Sequence, residues 1–293
     1  MIRINLAGRL GNQMYQYSAC RTFSEILGCN YFVGLGMNQR FDSFITTKGI
    51  GNIIENIFDV DYGIIDGQLK YSFDDEIINQ CFSPFDKKIT IEKLNLFIRQ
   101  NLKDYTLLNG FYSKYFYFEK NDKKIHDWFK FKNQDYSILN KYNPNDYCYI
   151  HFRGTDFYQF FGKEFFLTDE YYQNAVKFFD VDKFVIFTDD IPMATKYFEW
   201  MNNKYEYKIV SNSVSSDLFT LTRSKYFIGS YSTFSEWAGF LNIYKYDNFM
   251  LFPYVINKQS KEYNYHIERF YDVPYFNYLT KNGDWKLKNK SKT

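Results

Sequence analysis

The chain has 293 residues, 45% of them hydrophobic, enough to build one large core or two ordinary ones. Lys and Arg number 36 against 34 Asp and Glu, a formal net charge of +2, which argues against a polyelectrolyte binder and against nucleic acid as the main partner. Cys20, Cys29, Cys81 and Cys148 form no CxxC pair and the three histidines are widely spaced, so no metal motif is present and reduced thiols in a cytoplasmic protein are expected.

The opening residues Met1 to Leu6 carry no leader-like apolar core, and no run near the length of a membrane span follows, so neither secretion nor a transmembrane segment is expected. Aromatic residues make up 23% of the chain, spread evenly together with Lys, Asn and Ile. That pattern reads first as biased composition, and the other reading is that some rings line a sugar site.

In chain order, Ile2 to Leu6 alternates as a strand does, Gly8 to Asn12 turns, and Gln13 to Leu27 carries helical spacing until Gly28. From Thr46 to Phe85 glycines break the pattern and no elements are assigned. Leu107 to Tyr112 reads as a strand and Lys120 to Phe129 as a helix. The polar stretch Asn133 to Asp146 is the expected boundary between domains 1–140 and 141–293. Beyond it Tyr147 to Phe152, Lys183 to Thr188, Tyr207 to Val210 and Tyr226 to Ser230 read as strands. They alternate with helices over Glu170 to Phe179, Pro192 to Met201, Ser216 to Arg223 and Phe234 to Leu241. Such alternation implies α/β architecture with parallel sheets, as two Rossmann-like domains facing a central cleft.

Four stretches carry chemistry. Gly8 to Gln13 lies between the first strand and helix, where glycines and helix-start amides suit a diphosphate; a tight turn with Asn12 as helix cap is the other reading. His151 to Asp156 follows a strand end, where Arg153 suits a phosphate through paired N–H bonds, against a purely structural pairing of Arg153 with Asp156. Thr188, Asp189 and Asp190 end the next strand, open between nucleoside recognition and helix capping, and Asp217 poses the same choice. Ser230 to Ser235 runs from strand into helix and groups hydroxyls with helix-start amides. Two D-x-D spacings, Asp59 to Asp61 and Asp180 to Asp182, are discounted as metal sites.

In order and content these segments resemble glycosyltransferase family 11, the bacterial-type α1,2-fucosyltransferases, over roughly residues 1–242. GRLGNQMYQ at Gly8 to Gln16 is similar to the family's G-x-L-G-N-Q-M-F-Q, and Leu108 to Tyr112 to its L-D-G-Y-W/F. His151 to Asp156 resembles H-x-R-R-G-D, Phe187 to Ile191 resembles F-S-D-D-I, and Asp217 to Phe219 followed by Ser232 to Ser235 resembles D-L-Y and N-S-S-F-S-W-W. The resemblance implies a GT-B fold and an inverting transfer of L-fucose from GDP-β-L-fucose to O2 of a galactose in a glycan acceptor, without cofactor or metal. It further implies that the second domain holds the nucleotide, with Arg153 on the β-phosphate, Ser232, Thr233, Phe234 and Ser235 lining the diphosphate, and Asp190 and Asp217 at the nucleoside. Gly11 and Asn12 would approach the donor from the other domain.

The chain departs from the pattern at Gly154 and Thr155, where the family has Arg and Gly, at Tyr231 for Asn, and at Glu236 for Trp. Glu236 is expected to be a solvated charge. The catalytic base is open between His151, Asp156 and none. The aromatic stretch with Tyr158, Phe160 and Phe161 is open between acceptor wall and core. The rival functions are a transferase of the same fold using another GDP-sugar and an inactive nucleotide-sugar or carbohydrate-binding module.

Overall fold

Ile2, Ile4 and Leu6 lie on one side of the first strand, each at most 4% exposed, so the alternation at the amino terminus does become a buried strand. The structure is a computed structural model that describes residues 1–35, 53–65, 67–81, 91–154, 167–254, 258–259, 266–267, 273–280 and 285–286. It divides into two compact units, Met1–Lys132 and Asn133–Thr293, so the division falls at the start of the polar stretch 133–146, earlier than residue 140. That stretch is not all loop, because Ser137–Lys141 winds into a short helix.

The first unit contains β1 (Ile2–Leu6), β2 (Tyr31–Leu35), β3 (Phe58–Asp59), β4 (Tyr71–Asp74), β5 (Thr106–Asn109) and β6 (Lys130–Phe131). β2, β1, β5 and β4 lie side by side in that order, all parallel, while β3 and β6 form a separate antiparallel pair. The helix after β1 runs Leu10–Leu27 and so begins earlier than its apolar spacing indicates. Gly28 ends it in the left-handed region at φ 67°, which glycine adopts at little cost, and the Cys29 amide closes back on the Ser24 carbonyl at 3.1 Å. The helix expected over 120–129 is instead a 3-10 turn, Glu119–Asn121, and one short helix, Ile125–Trp128.

Two of the sequence motifs are joined in this unit by side chains to which the sequence assigned no role. Gln16 accepts from the Ala7 amide at 2.8 Å and donates to the Gly110 carbonyl at 2.9 Å, linking the ends of β1 and β5. Gln13 donates to the Gly8 carbonyl at 2.9 Å and accepts from the Ile54 amide at 3.2 Å. Beyond β5, Gly110 at φ 116° lets the chain wrap the Asp75 carboxylate, which accepts the Phe111 and Tyr112 amides, both at 3.0 Å. Burial raises the Asp75 carboxyl above its ordinary range, and those two amide bonds partly offset it.

The second unit contains β7 (Cys148–Phe152), β8 (Lys183–Thr188), β9 (Glu206–Val210), β10 (Tyr226–Ile228), β11 (Phe249–Pro253), β12 (Lys258–Gln259), β13 (His266–Ile267), β14 (Asn277–Leu279) and β15 (Trp285–Lys286). β12 and β13 form a small antiparallel pair. The main sheet has the order β15-β14-β11-β10-β7-β8-β9, parallel throughout except that β15 runs against β14 at the edge. Taking β7 as the first strand, the six parallel strands read 3-2-1-4-5-6, the Rossmann order, and the chain reverses direction across the sheet between β7 and β10. Every residue of β7 is buried, as suits a central strand covered on both faces.

The core of this unit is largely aromatic. Phe152 of β7 packs on Tyr172 and Phe198 with ring centroids 6.0 and 5.4 Å away, and Tyr172 and Phe198 are 5.0 Å apart. These tilted and edge-on pairs fill space between sheet and helices, so part of the aromatic excess is core rather than sugar platform. In the first unit, Asp75→Ala is expected to lower stability by about 2–4 kcal/mol, because two inward amides lose their acceptor, and urea unfolding of both proteins checks it.

Candidate functional site

The switch point brings two motifs together at the carboxyl ends of adjacent strands. His151, near the end of β7, is 5% exposed, and its Nδ1 lies 2.9 Å from the Ser230 Oγ just beyond β10. The helix Asp169–Ala175 holds the same strand ends, with the Tyr171 hydroxyl donating to the Gly229 carbonyl at 3.0 Å and the Tyr172 hydroxyl to the His151 carbonyl at 3.3 Å. Burial, and next the Arg153 guanidinium, push the His151 imidazole down to about 3 against a smaller pull from Asp189. His151 is therefore neutral near pH 7, and the charge at this point comes from Arg153.

Arg153 follows β7 with its side chain 18% exposed, and its Nη1 lies 3.0 Å from Oδ2 of Asp189 at the end of β8. The other oxygen, Oδ1, accepts the Gly154 amide at 2.8 Å. The ion pair seen is thus with Asp189; Asp156, the partner expected in the structural reading, lies outside the described residues, as do Tyr158, Phe160 and Phe161. A Cβ on Gly154 would sit 2.6 Å from the Cβ of Asp190 and 3.1 Å from Asp189 Oδ1. Close approach of the two loops accounts for glycine here, and a long side chain has no room at this backbone position.

Asp190 caps the helix Ile191–Tyr197 by accepting the Met193 amide at 2.9 Å, with Pro192 at the helix start. Capping is thus one established use of Asp190. Asp217 lies in the first turn of the helix Val214–Leu221, which Ser213 caps, and is 9% exposed. Its carboxylate accepts Asn212 Nδ2 at 2.8 Å and the Asn212 amide at 3.4 Å. Burial pushes the Asp217 carboxyl up to about 6, with the Asn212 bonds opposing. Its neighbour Ser216 donates to Asp135 of the connecting stretch at 3.0 Å.

Past β10, Ser232 caps the helix Thr233–Phe240 by accepting the Phe234 amide at 3.3 Å. Ser235 is fully buried and its Oγ accepts the Ser230 amide at 3.0 Å, so it shapes the turn from inside, while Thr233 and Phe234 are half-buried. The Phe234 ring lies 5.2 Å from His151. Glu236 is 4% exposed, which corrects the solvated charge expected from its helical position, because this face of the helix turns into the unit. The start of the helix Thr233–Phe240 lies beyond the end of β10, and Arg153 lies beyond the end of β7, its neighbour in the sheet.

In the first unit Arg9, not Asn12, occupies the helix-cap position, and it makes no side-chain cap bond. Asn12 is half-buried in the first helical turn, with Gly8 at φ 76° directly against it. Gly11 is buried in the same turn. Of the D-x-D pairs, Asp61 accepts the Gly63 amide at 2.9 Å and the Tyr31 hydroxyl at 2.8 Å, and Asp182 precedes β8, at the end of the sheet away from Arg153. Among the described residues no three or more His, Cys, Asp or Glu are grouped to hold a metal ion, and no helix is long and apolar enough to cross a membrane.

Two units built on parallel sheets, the second in the Rossmann strand order, define an α/β protein of the GT-B type, and solved structures agree on the fold. A selenomethionine structure of the fucosyltransferase NodZ from Bradyrhizobium has a TM-score of 0.53 at 12% identity, covering 81% of this chain and 90% of that one. NodZ α-1,6-fucosyltransferase soaked with GDP-fucose has a TM-score of 0.50 at 12% identity, covering 82% and 92%. No curated protein sequence matches the chain. Residues 78–272, more than half of the 293, match glycosyl transferase family 11, and the chain belongs to that family. It is a glycosyltransferase.

A carboxyl whose folded-state value exceeds its ordinary 3.8 contributes stability below that value and loses it as pH rises through about 6. Asp217→Asn removes the ionisation, so the variant is expected to melt above the wild type near about pH 8, the gap closing near about pH 4, in paired thermal scans.

Proposed function

We propose that the protein is an inverting, metal-independent fucosyltransferase that moves L-fucose from GDP-β-L-fucose to O2 of a galactose in a glycan acceptor. The observation that carries the reading is the half-buried Arg153 guanidinium beside the tied ends of β7 and β10, in a chain whose motifs resemble α1,2-fucosyltransferases in order. A leaving diphosphate gathers negative charge, and a guanidinium with helix-start amides stabilises it without reorganising at the moment of reaction.

The acceptor hydroxyl attacks the anomeric carbon from the face opposite GDP while the carbon–oxygen bond to the β-phosphate breaks, leaving its electron pair on GDP. The transition state is oxocarbenium-like, with bond breaking ahead of attack. The acceptor oxygen becomes acidic only late, so a weak base such as water takes its proton, and His151, held neutral and weakly basic, serves to position β7 against β10. Asp217 and Asp190 are the proposed nucleoside contacts. The desolvated Asp217 carboxylate in a first helical turn is a costly feature that a ribose or a guanine edge would satisfy.

Incubation with GDP-fucose and GDP-mannose, each with a galactose-ended oligosaccharide, is expected to give product from GDP-fucose alone, with linkage analysis at O2. Product from GDP-mannose instead identifies the other GDP-sugar reading, and GDP binding without turnover or hydrolysis of any donor identifies an inactive module. Arg153→Ala is expected to lower turnover by about 10²–10³-fold, the usual cost of one charge-stabilising donor. Added chelator is expected to leave the rate unchanged, and a strict manganese requirement would contradict the metal-independent mechanism.

A further inference from the structure

One carboxylate at the end of β8 fixes both the tip and the base of the Arg153 arrangement. Asp189 Oδ2 is 3.0 Å from Arg153 Nη1, and Asp189 Oδ1 accepts the Gly154 amide at 2.8 Å. The amide bond anchors the chain one residue after the arginine, and the ion pair orients the end of its long side chain. The loop approaches β8 so closely that only glycine fits beside Asp190.

We propose that Asp189 is a positioning residue for the transfer, holding the Arg153 guanidinium at the leaving diphosphate; the inference rests on the donor-site reading above. An arginine side chain has large rotamer entropy, which a brace using both carboxylate oxygens, one on the guanidinium and one on the next backbone amide, counters. A guanidinium has five N–H donors, enough to engage a carboxylate and a phosphate together. The opposing possibility is that Asp189 competes with the phosphate for the same cation. Geometry favours positioning, because an acceptor already engaged by the Gly154 amide cannot swing with the guanidinium. The brace also gives Gly154 a purpose where the family pattern has a second arginine, as it exchanges a second cation for tight placement of the first.

The test is a double-mutant cycle on the full-length chain, with Asp189→Ala, Asp189→Asn, Arg153→Ala and Arg153→Ala/Asp189→Ala compared for kcat, donor KM, GDP affinity by calorimetry and melting temperature. Asp189→Ala is expected to lower kcat by about 100-fold, the cost of a small misplacement of a catalytic group, with little change in KM. Asp189→Asn, whose side-chain oxygen still accepts the Gly154 amide, is expected to lose less and to serve if the alanine variant does not fold. In the Arg153→Ala background the second substitution is expected to add almost nothing. Faster turnover or tighter GDP binding in either Asp189 variant shows competition and overturns the inference. Equal losses with and without Arg153 also overturn it while leaving the donor-site reading intact. Normal turnover in Arg153→Ala alone overturns the donor-site reading and this inference with it.

Discussion

The hydrogen bond between His151 and Ser230 is the constraint on which the second unit's site depends. Strands β7 and β10 are neighbours in the sheet but far apart in sequence, and the chain leaves them in opposite directions, so nothing local keeps their ends in register. The backbone ladder sets their register, and beyond it a buried imidazole and a buried hydroxyl that satisfy each other tie the strand ends, so that separating them would strand two polar groups away from water. Tyr171 and Tyr172 reinforce the same ends from the covering helix. Because the imidazole is held neutral, the positive charge beside the switch point belongs to Arg153.

Charge placement in this unit follows from that arrangement. Asp189 is spent on Arg153 and the Gly154 amide, Asp190 on a helix start, and Asp217 is buried among its Asn212 bonds with its carboxyl pushed up to about 6. Keeping Asp217 ionised costs stability on the order of 3 kcal/mol. Such a feature is found where ligand recognition outweighs stability.

Several motif residues act on the protein itself. Gln13 and Gln16 bind backbone around the Gly8 turn and tie β1 to the segment after β5, and Gly110 makes room for the Asp75 carboxylate. Their spacing is dictated by the distance from a helix's first turns to the loops beside it. Ser232 and Ser235, hydroxyls that suit a diphosphate, are first of all cap and turn, and the diphosphate reading therefore leans on the helix-start amides they organise. Only a signal of local geometry, glutamines three residues apart just inside a helix, could have revealed the first of these roles in advance.

Periodicity along the chain determined β1, the helix to Gly28, and β7 through β10 with their intervening helices, because each buries a face whose pattern is written over a few consecutive residues. The motif order likewise determined the family and the choice of Arg153. The tertiary structure alone decided strand order, the antiparallel edge strand β15, the pairing of Arg153 with Asp189, the need for glycine at 154 and the burial of Glu236. Each of these depends on which distant segments meet, and a one-dimensional pattern records how a residue's neighbours repeat but not what will be packed against it.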